Sequence, residues 1–185
     1  MPEKMSAKDL VFKPVTPDLL GDFEKLFGKN GACAGCWCVL WRLSRKDWEE
    51  GQGDGNKKRM RRIIKSGEEP GILACYNGEA IGWVAVAPRE KYPYLERSRV
   101  LGPVDDKPVW SVSCLFIKKE FRKMGISSKL LKEVRRYVGR KGGKIVEGYP
   151  YEPAKELPGS FVWTGLPGSF IKAGFKEAAR FSPTR

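Results

Sequence analysis

Residues 109 to 149 constrain the fold more than any other stretch of this chain. The run 109–117 (VWSVSCLFI) is long enough for a buried central strand. After the turn KKEFRKMGIS, Leu130, Leu131, Val134, Tyr137 and Val138 recur at helical spacing as far as Gly142-Gly143, where the helix stops. Residues 144–149 read as another strand. Strand, helix and strand make a βαβ unit, so the two strands run parallel and the helix packs across them. The fold class is therefore α/β with a mixed sheet, because the rest of the chain supplies antiparallel pieces.

Leu10 to Pro14 reads as a short strand, and Thr16-Pro17 opens a helix over residues 17–27 whose Leu19, Leu20, Phe23, Leu26 and Phe27 share one face. Residues 28–55 lose periodicity and gather Trp37, Trp41 and Trp48, which predicts an irregular, partly helical cap. Residues 57–65 (KKRMRRIIK) place Met60, Ile63 and Ile64 at i, i+3 and i+4, so their charges form the wet face of an amphipathic helix. The runs 72–76 and 80–86 meet across Asn77-Gly78, the dipeptide suited to a type I′ hairpin turn. Residues 88–108 are proline-punctuated and charged, a loop expected to border a site. Pro150, Pro153 and Pro158 forbid regular structure, a short helix follows over 166–173, and residues 175–181 are expected to form a last strand. No linker divides the 185 residues, so one domain with a core over about residues 10–181 is expected.

The chain has no histidine, which excludes Ser-His-Asp and Cys-His pairs and imidazole metal sites. Of its five cysteines, Cys33, Cys36 and Cys38 crowd together. Cys75 and Cys114 lie singly in strand-like runs, so packing beneath Trp37 and Trp41 is the expected role and no metal is expected. The first nine residues are polar, without the apolar stretch of a signal peptide, and no run reaches the roughly 18 apolar residues of a membrane span. A cytoplasmic protein with reduced thiols is expected. The formal charge of +13 raises the alternative of a basic nucleic-acid-associated module, but no RNA or DNA motif accompanies it.

The chemistry concentrates in Arg122-Lys123-Met124-Gly125-Ile126-Ser127, between the strand 109–117 and the helix that follows. A helix N-terminus presents backbone N–H groups without intrahelical partners and a partial positive charge, so it binds phosphate wherever the main chain is reachable. Gly125 grants that access, Arg122 and Lys123 add charge, and Ser127 and Ser128 add hydroxyls. These residues resemble the GNAT superfamily of acetyl-CoA-dependent N-acetyltransferases. Its signature is Arg or Gln, two residues, Gly, one residue, then Gly or Ala; Arg122 and Gly125 match it, and Ser127 stands where Gly or Ala is usual. The terminal segment from Ser169 to Phe175 resembles the family's last helix with its Gly-Phe ending, and Cys36-Trp37-Cys38 with Glu147-Gly-Tyr-Pro150 resembles a bacterial branch.

The resemblance implies a central mixed sheet with splayed fourth and fifth strands flanked by helices, acetyl-CoA as cosubstrate, and a small-molecule or peptide primary amine as acceptor, attacking directly in a ternary complex. It implies that Leu115, Phe116 and Ile117 pair with the pantetheine arm, a Leu115-region N–H polarising the thioester carbonyl. Arg122, Lys123, Met124, Gly125, Ile126, Ser127 and Ser128 then hold the pyrophosphate. Many relatives carry a tyrosine acid where this chain has Phe170. Tyr149 and Tyr151, followed by Cys114 and Ser113, are the remaining acid candidates, with Tyr149 preferred as acid and Glu147 as base. Glu147, Glu152 and Glu156 are candidates for an acidic lining. An acyl-CoA-binding protein with little catalysis is the alternative that Phe170 raises.

Overall fold

A computed structural model describes residues 9–155 and 157–185. Five strands form one sheet in the order β1 (Leu10–Pro14), β2 (Gly71–Tyr76), β3 (Glu79–Pro88), β4 (Trp110–Ile117) and β5 (Val146–Gly148). Neighbours are antiparallel except β4 and β5, which run parallel as the crossover requires. Asn77 and Gly78 adopt φ of 49° and 80°, the positive pair that a type I′ turn between β2 and β3 needs.

Helices cover both faces of the sheet, and β3 shows why. Its side chains alternate, so Val84 and Val86 face one layer while Trp83 and Ala85 face the other. On the Trp83 side lie α1 (Leu20–Phe27), α2 (Arg45–Glu50) and α3 (Asp54–Lys65), with Phe23, Phe27, Met60 and Ile64 buried against Leu73 and Trp83. The basic run of residues 57–65 is the outer face of α3, as its spacing predicts. After α4 (Pro93–Arg97), the long helix α5 (Ile126–Arg140) lays Leu130, Leu131, Val134 and Val138 on the opposite face. The last helix, α6 (Pro167–Lys172), packs beside α5.

Differences from the sequence reading have local causes. The loop 88–108 contains a 3-10 turn and α4, because buried Tyr92, Leu95 and Leu101 fold it onto Trp41. The expected strand over 175–181 is absent: residues 176–180 are exposed and lack apolar alternation, and Arg180 pairs with Glu177 and Glu152 instead.

The feature that positions the site is the parting of β4 from β5. They pair only through Trp110↔Val146, Ser111↔Glu147 and Val112↔Gly148. At Ser113 an extra residue breaks the β3–β4 register, since Ala85 faces Cys114 while Val86 faces Val112. Such a bulge bends its strand. On the other side Pro150 closes β5, and Phe170 packs against it: a Cβ at Gly148 would lie 2.1 Å from the Phe170 ring. Beyond Ser113, therefore, one edge of β4 has no strand beside it.

Candidate active site

A cavity of about 930 Å³ follows that edge of β4. Leu115, Phe116 and Ile117 line its middle. Arg122, Lys123, Gly125, Ile126, Ser127 and Ser128 line one end; the cap residues Cys36, Cys38, Leu40, Trp41 and Trp48 line the other. Met124 instead packs on the α5 core.

The turn before α5 has the geometry of an anion cradle. Lys123 and Gly125 take φ of 63° and 75° on either side of Met124, a left-handed alternation that turns successive N–H groups to one side. The bond from Lys129 N–H to the Gly125 carbonyl, 3.2 Å, spans the first helical turn, so the N–H groups of Ile126, Ser127 and Ser128 precede any intrahelical acceptor. Gly125 is the N-cap, no side chain bonds there, and a Cβ built on it meets nothing within 4 Å. Arg122 is tied back by its Nε, which donates to the Ile117 carbonyl at 3.0 Å. This donor set suits the diphosphate of a nucleotide-bearing thioester.

The middle of the cavity holds a self-contact that sequence patterns do not carry. The Leu115 N–H donates to the Trp163 carbonyl at 2.7 Å, so the amide expected to serve a thioester already has an acceptor.

Tyr149 and Glu147 lie together but behind the wall. Arg89, 8% exposed, donates through Nη1 to Glu147 Oε1 at 2.6 Å and to Tyr149 Oη at 2.7 Å. Ser111 Oγ donates to the same carboxylate oxygen at 2.9 Å, and Tyr149 Oη donates to it as well. Burial and then the Glu147 charge push the Tyr149 hydroxyl well above its usual range. Neither side chain lines the cavity; Trp41, whose ring centroid is 5.3 Å from that of Tyr149, stands between. Phe170 is 4% exposed and wedged against Gly148, Gly165 and Phe175, again off the lining. Glu152 pairs with Arg180, and Glu156 lies outside the described residues. Among the described residues, no Asp or Glu lines the cavity.

Sequence reasoning missed Arg89, which looks like any charged loop residue, and it missed the proximity of Cys114 to Cys38, which only the pairing of β4 beneath the cap creates. Among the described residues no cluster of His, Cys, Asp or Glu could hold a metal, and no helix is long and apolar enough to cross a membrane.

A parallel pair that splays at a bulge, an N–H cradle at the head of the crossover helix and a cavity joining them make up the candidate active site. The chain belongs to the acetyltransferase (GNAT) family, whose model matches residues 37–153. No curated protein matches the sequence. Among solved structures, the fold is similar to aminoglycoside acetyltransferase AAC(6')-Iy in complex with a bisubstrate analogue of CoA and acetylneamine. The two are 19% identical over 95% of this chain and 97% of that one, with a TM-score of 0.56. The same protein in complex with CoA gives 18%, 95% and 93%, with a TM-score of 0.53. AAC(6')-Ih from Acinetobacter baumannii gives 18% identity over 92% and 93% of the two chains, with a TM-score of 0.51.

Proposed function

We propose that this enzyme moves an acetyl group from acetyl-CoA to a primary amine by direct attack, with both substrates in the cavity. The observation that carries the reading is the continuity of the N–H cradle at residues 122–128 with the free edge of β4. Main-chain N–H groups, Arg122, Lys123, Ser127 and Ser128 hold the diphosphate, and Leu115 to Ile117 flank the pantetheine arm. Acetyl-CoA supplies the activated acyl group. The protein places the amine, excludes water and manages protons.

The walls around the acceptor end favour a monoamine with an apolar or aromatic body. Leu40, Trp41, Trp48 and Trp163 form them, and no carboxylate among the described residues is there to meet a second ammonium. That sets this cavity against the polycationic aminoglycosides named for the structural neighbours. Tyr149 and Glu147 enter as positioning residues: with Arg89 and Ser111 they fix the end of β5 and back the Trp41 wall.

The test is thermal unfolding with and without acetyl-CoA, followed by CoA-thiol release with arylalkylamines and with sisomicin. Stabilisation by acetyl-CoA and faster release with the arylalkylamines are expected. Stabilisation without release would select the acyl-CoA-binding alternative; no stabilisation would refute the cosubstrate assignment.

A further inference from the structure

Three buried side-chain atoms lack a hydrogen-bond partner among the described residues: Arg42 Nη2, Trp48 Nε1 and Tyr92 Oη. All three can donate, and all lie within electrostatic reach of a group of thiols at the acceptor end of the cavity. Trp48 lies beside Cys36, while Arg42 and Tyr92 lie close enough to act electrostatically on Cys38. The Arg42 side chain is 7% exposed, and its Nη1 is already committed to Glu68 at 2.6 Å.

Cys38 collects further donors. The Trp83 Nε1–H reaches its sulfur at 3.2 Å, and Cys114 packs on the same cluster, close enough to act electrostatically on that sulfur. Burial pushes the Cys38 thiol up, but Cys114, Trp83 and Arg42 together bring it below the ordinary value, while Cys114 is driven well above it. Trp37 and Cys38 also hold φ of 48° and 59°, left-handed values rare for residues with side chains, and Trp37 is fixed by stacking on Phe27 at 5.8 Å. Cys36, Cys38, Ser113 and Cys114 all line the cavity. A sulfur that accepts from Trp83 with the Arg42 guanidinium nearby, in a cavity that no Asp or Glu lines among the described residues, is the place in this site best suited to carry negative charge.

We propose that Cys38 and Cys114 share one proton and serve as base and acid of acetyl transfer, the pair standing in for the tyrosine that Phe170 replaces. This rests on the acetyl-transfer reading above. As the amine nitrogen bonds to the acyl carbon, the Cys38 thiolate takes the nitrogen's proton. As the carbon–sulfur bond breaks, its electron pair leaves on the CoA sulfur, which receives the Cys114 proton. Transfer of the proton from Cys38 to Cys114 restores the starting pair, so one proton has moved from nitrogen to sulfur and nothing is oxidised.

Alkylation by iodoacetamide against pH, mapped by mass spectrometry, tests the pair without any acceptor. Cys38 is expected to react with a lower pH midpoint than exposed Cys33. CoA should slow that reaction, and Cys114→Ala or Cys114→Ser should raise the midpoint. A midpoint at or above that of Cys33, no movement in the Cys114 variants, or no reaction at Cys38 each overturns the proposal. With an accepted amine, Cys114→Ala and Cys38→Ser, the latter keeping an acceptor for Trp83, should lower kcat roughly a hundredfold or more with KM for acetyl-CoA little changed. Retained kcat in both variants, or an acetyl adduct on Cys38 when amine is withheld, also overturns it. If acetyl-CoA fails to stabilise the parent protein, the acetyl-transfer reading falls, and the alkylation profile still decides whether the thiols form a pair.

Discussion

Replacing Gly125 by Glu separates ligand recognition from folding. The glycine sits at φ 75°, and a Cβ there meets nothing within 4 Å, so the substitution is uncrowded and its cost is conformational. A left-handed L-residue costs about 1–2 kcal/mol. A carboxylate at a helix N-terminus returns about 0.3–1 kcal/mol. The net loss is about 1 kcal/mol, roughly 2–4 °C in Tm for a chain of this size. Acetyl-CoA at about 100 times its Kd stabilises by roughly 2.7 kcal/mol. At the same conversion that is about 5–11 °C, well clear of the strain. Differential scanning fluorimetry of the parent, Gly125→Glu and Gly125→Ala, each with and without acetyl-CoA, reads both quantities. The alanine variant carries the strain without the charge and should keep most of the ligand shift; the glutamate variant should lose it through repulsion of the diphosphate. A folded Gly125→Glu protein with the parent's full shift would refute the phosphate assignment.

Gly148→Ala drives a methyl to 2.1 Å from the Phe170 ring and should cost about 1–3 kcal/mol by calorimetry, with Phe170→Leu in the same chain recovering part of it. Tyr149→Phe leaves Arg89 and Ser111 short of a partner and should lower stability by about 1–3 kcal/mol in urea while kcat changes little. A large loss of kcat at unchanged stability would instead restore Tyr149 as the acid. For Glu24, burial raises the carboxyl but Arg61 and Lys57 hold it below 4.5; for Glu69, burial is likewise outweighed by Lys141 and Tyr137. Folded values below unfolded ones mean that this stabilisation is complete above about pH 4.5 and fades as pH falls through the folded values. The urea midpoint of Glu24→Gln/Glu69→Gln should therefore fall less steeply below that pH than the parent's.

The elements most legible in the sequence are those written in local patterns. Asn77-Gly78 announces its hairpin because only a few residue pairs tolerate two positive φ values, and the Leu130, Leu131, Val134, Val138 stripe announces α5 because burial follows helical period. The Gly125 turn is legible for the same reason: a backbone requirement confines the residue type. What stayed hidden depends on distant partners. Nothing local marks Arg89 as the buried centre of a polar network, or Ser113 as the bulge that parts β4 from β5. Tyr149 and Glu147 follow from the pattern as residues of and just after β5, but their orientation toward Arg89 is set by a loop about sixty residues upstream. The run 175–181 misled because Phe175 and Phe181 mimic strand ends, whereas Phe175 packs on Phe170 and Phe181 is exposed.

The bond between the Leu115 amide and the Trp163 carbonyl bears on where affinity arises. A thioester arm that lays a carbonyl on Leu115 exchanges one acceptor for another, so the number of main-chain bonds at that point is conserved. Occupancy is then a competition with the protein's own C-terminal segment, and the tightness of binding must come from the opposite, charged extremity of the ligand.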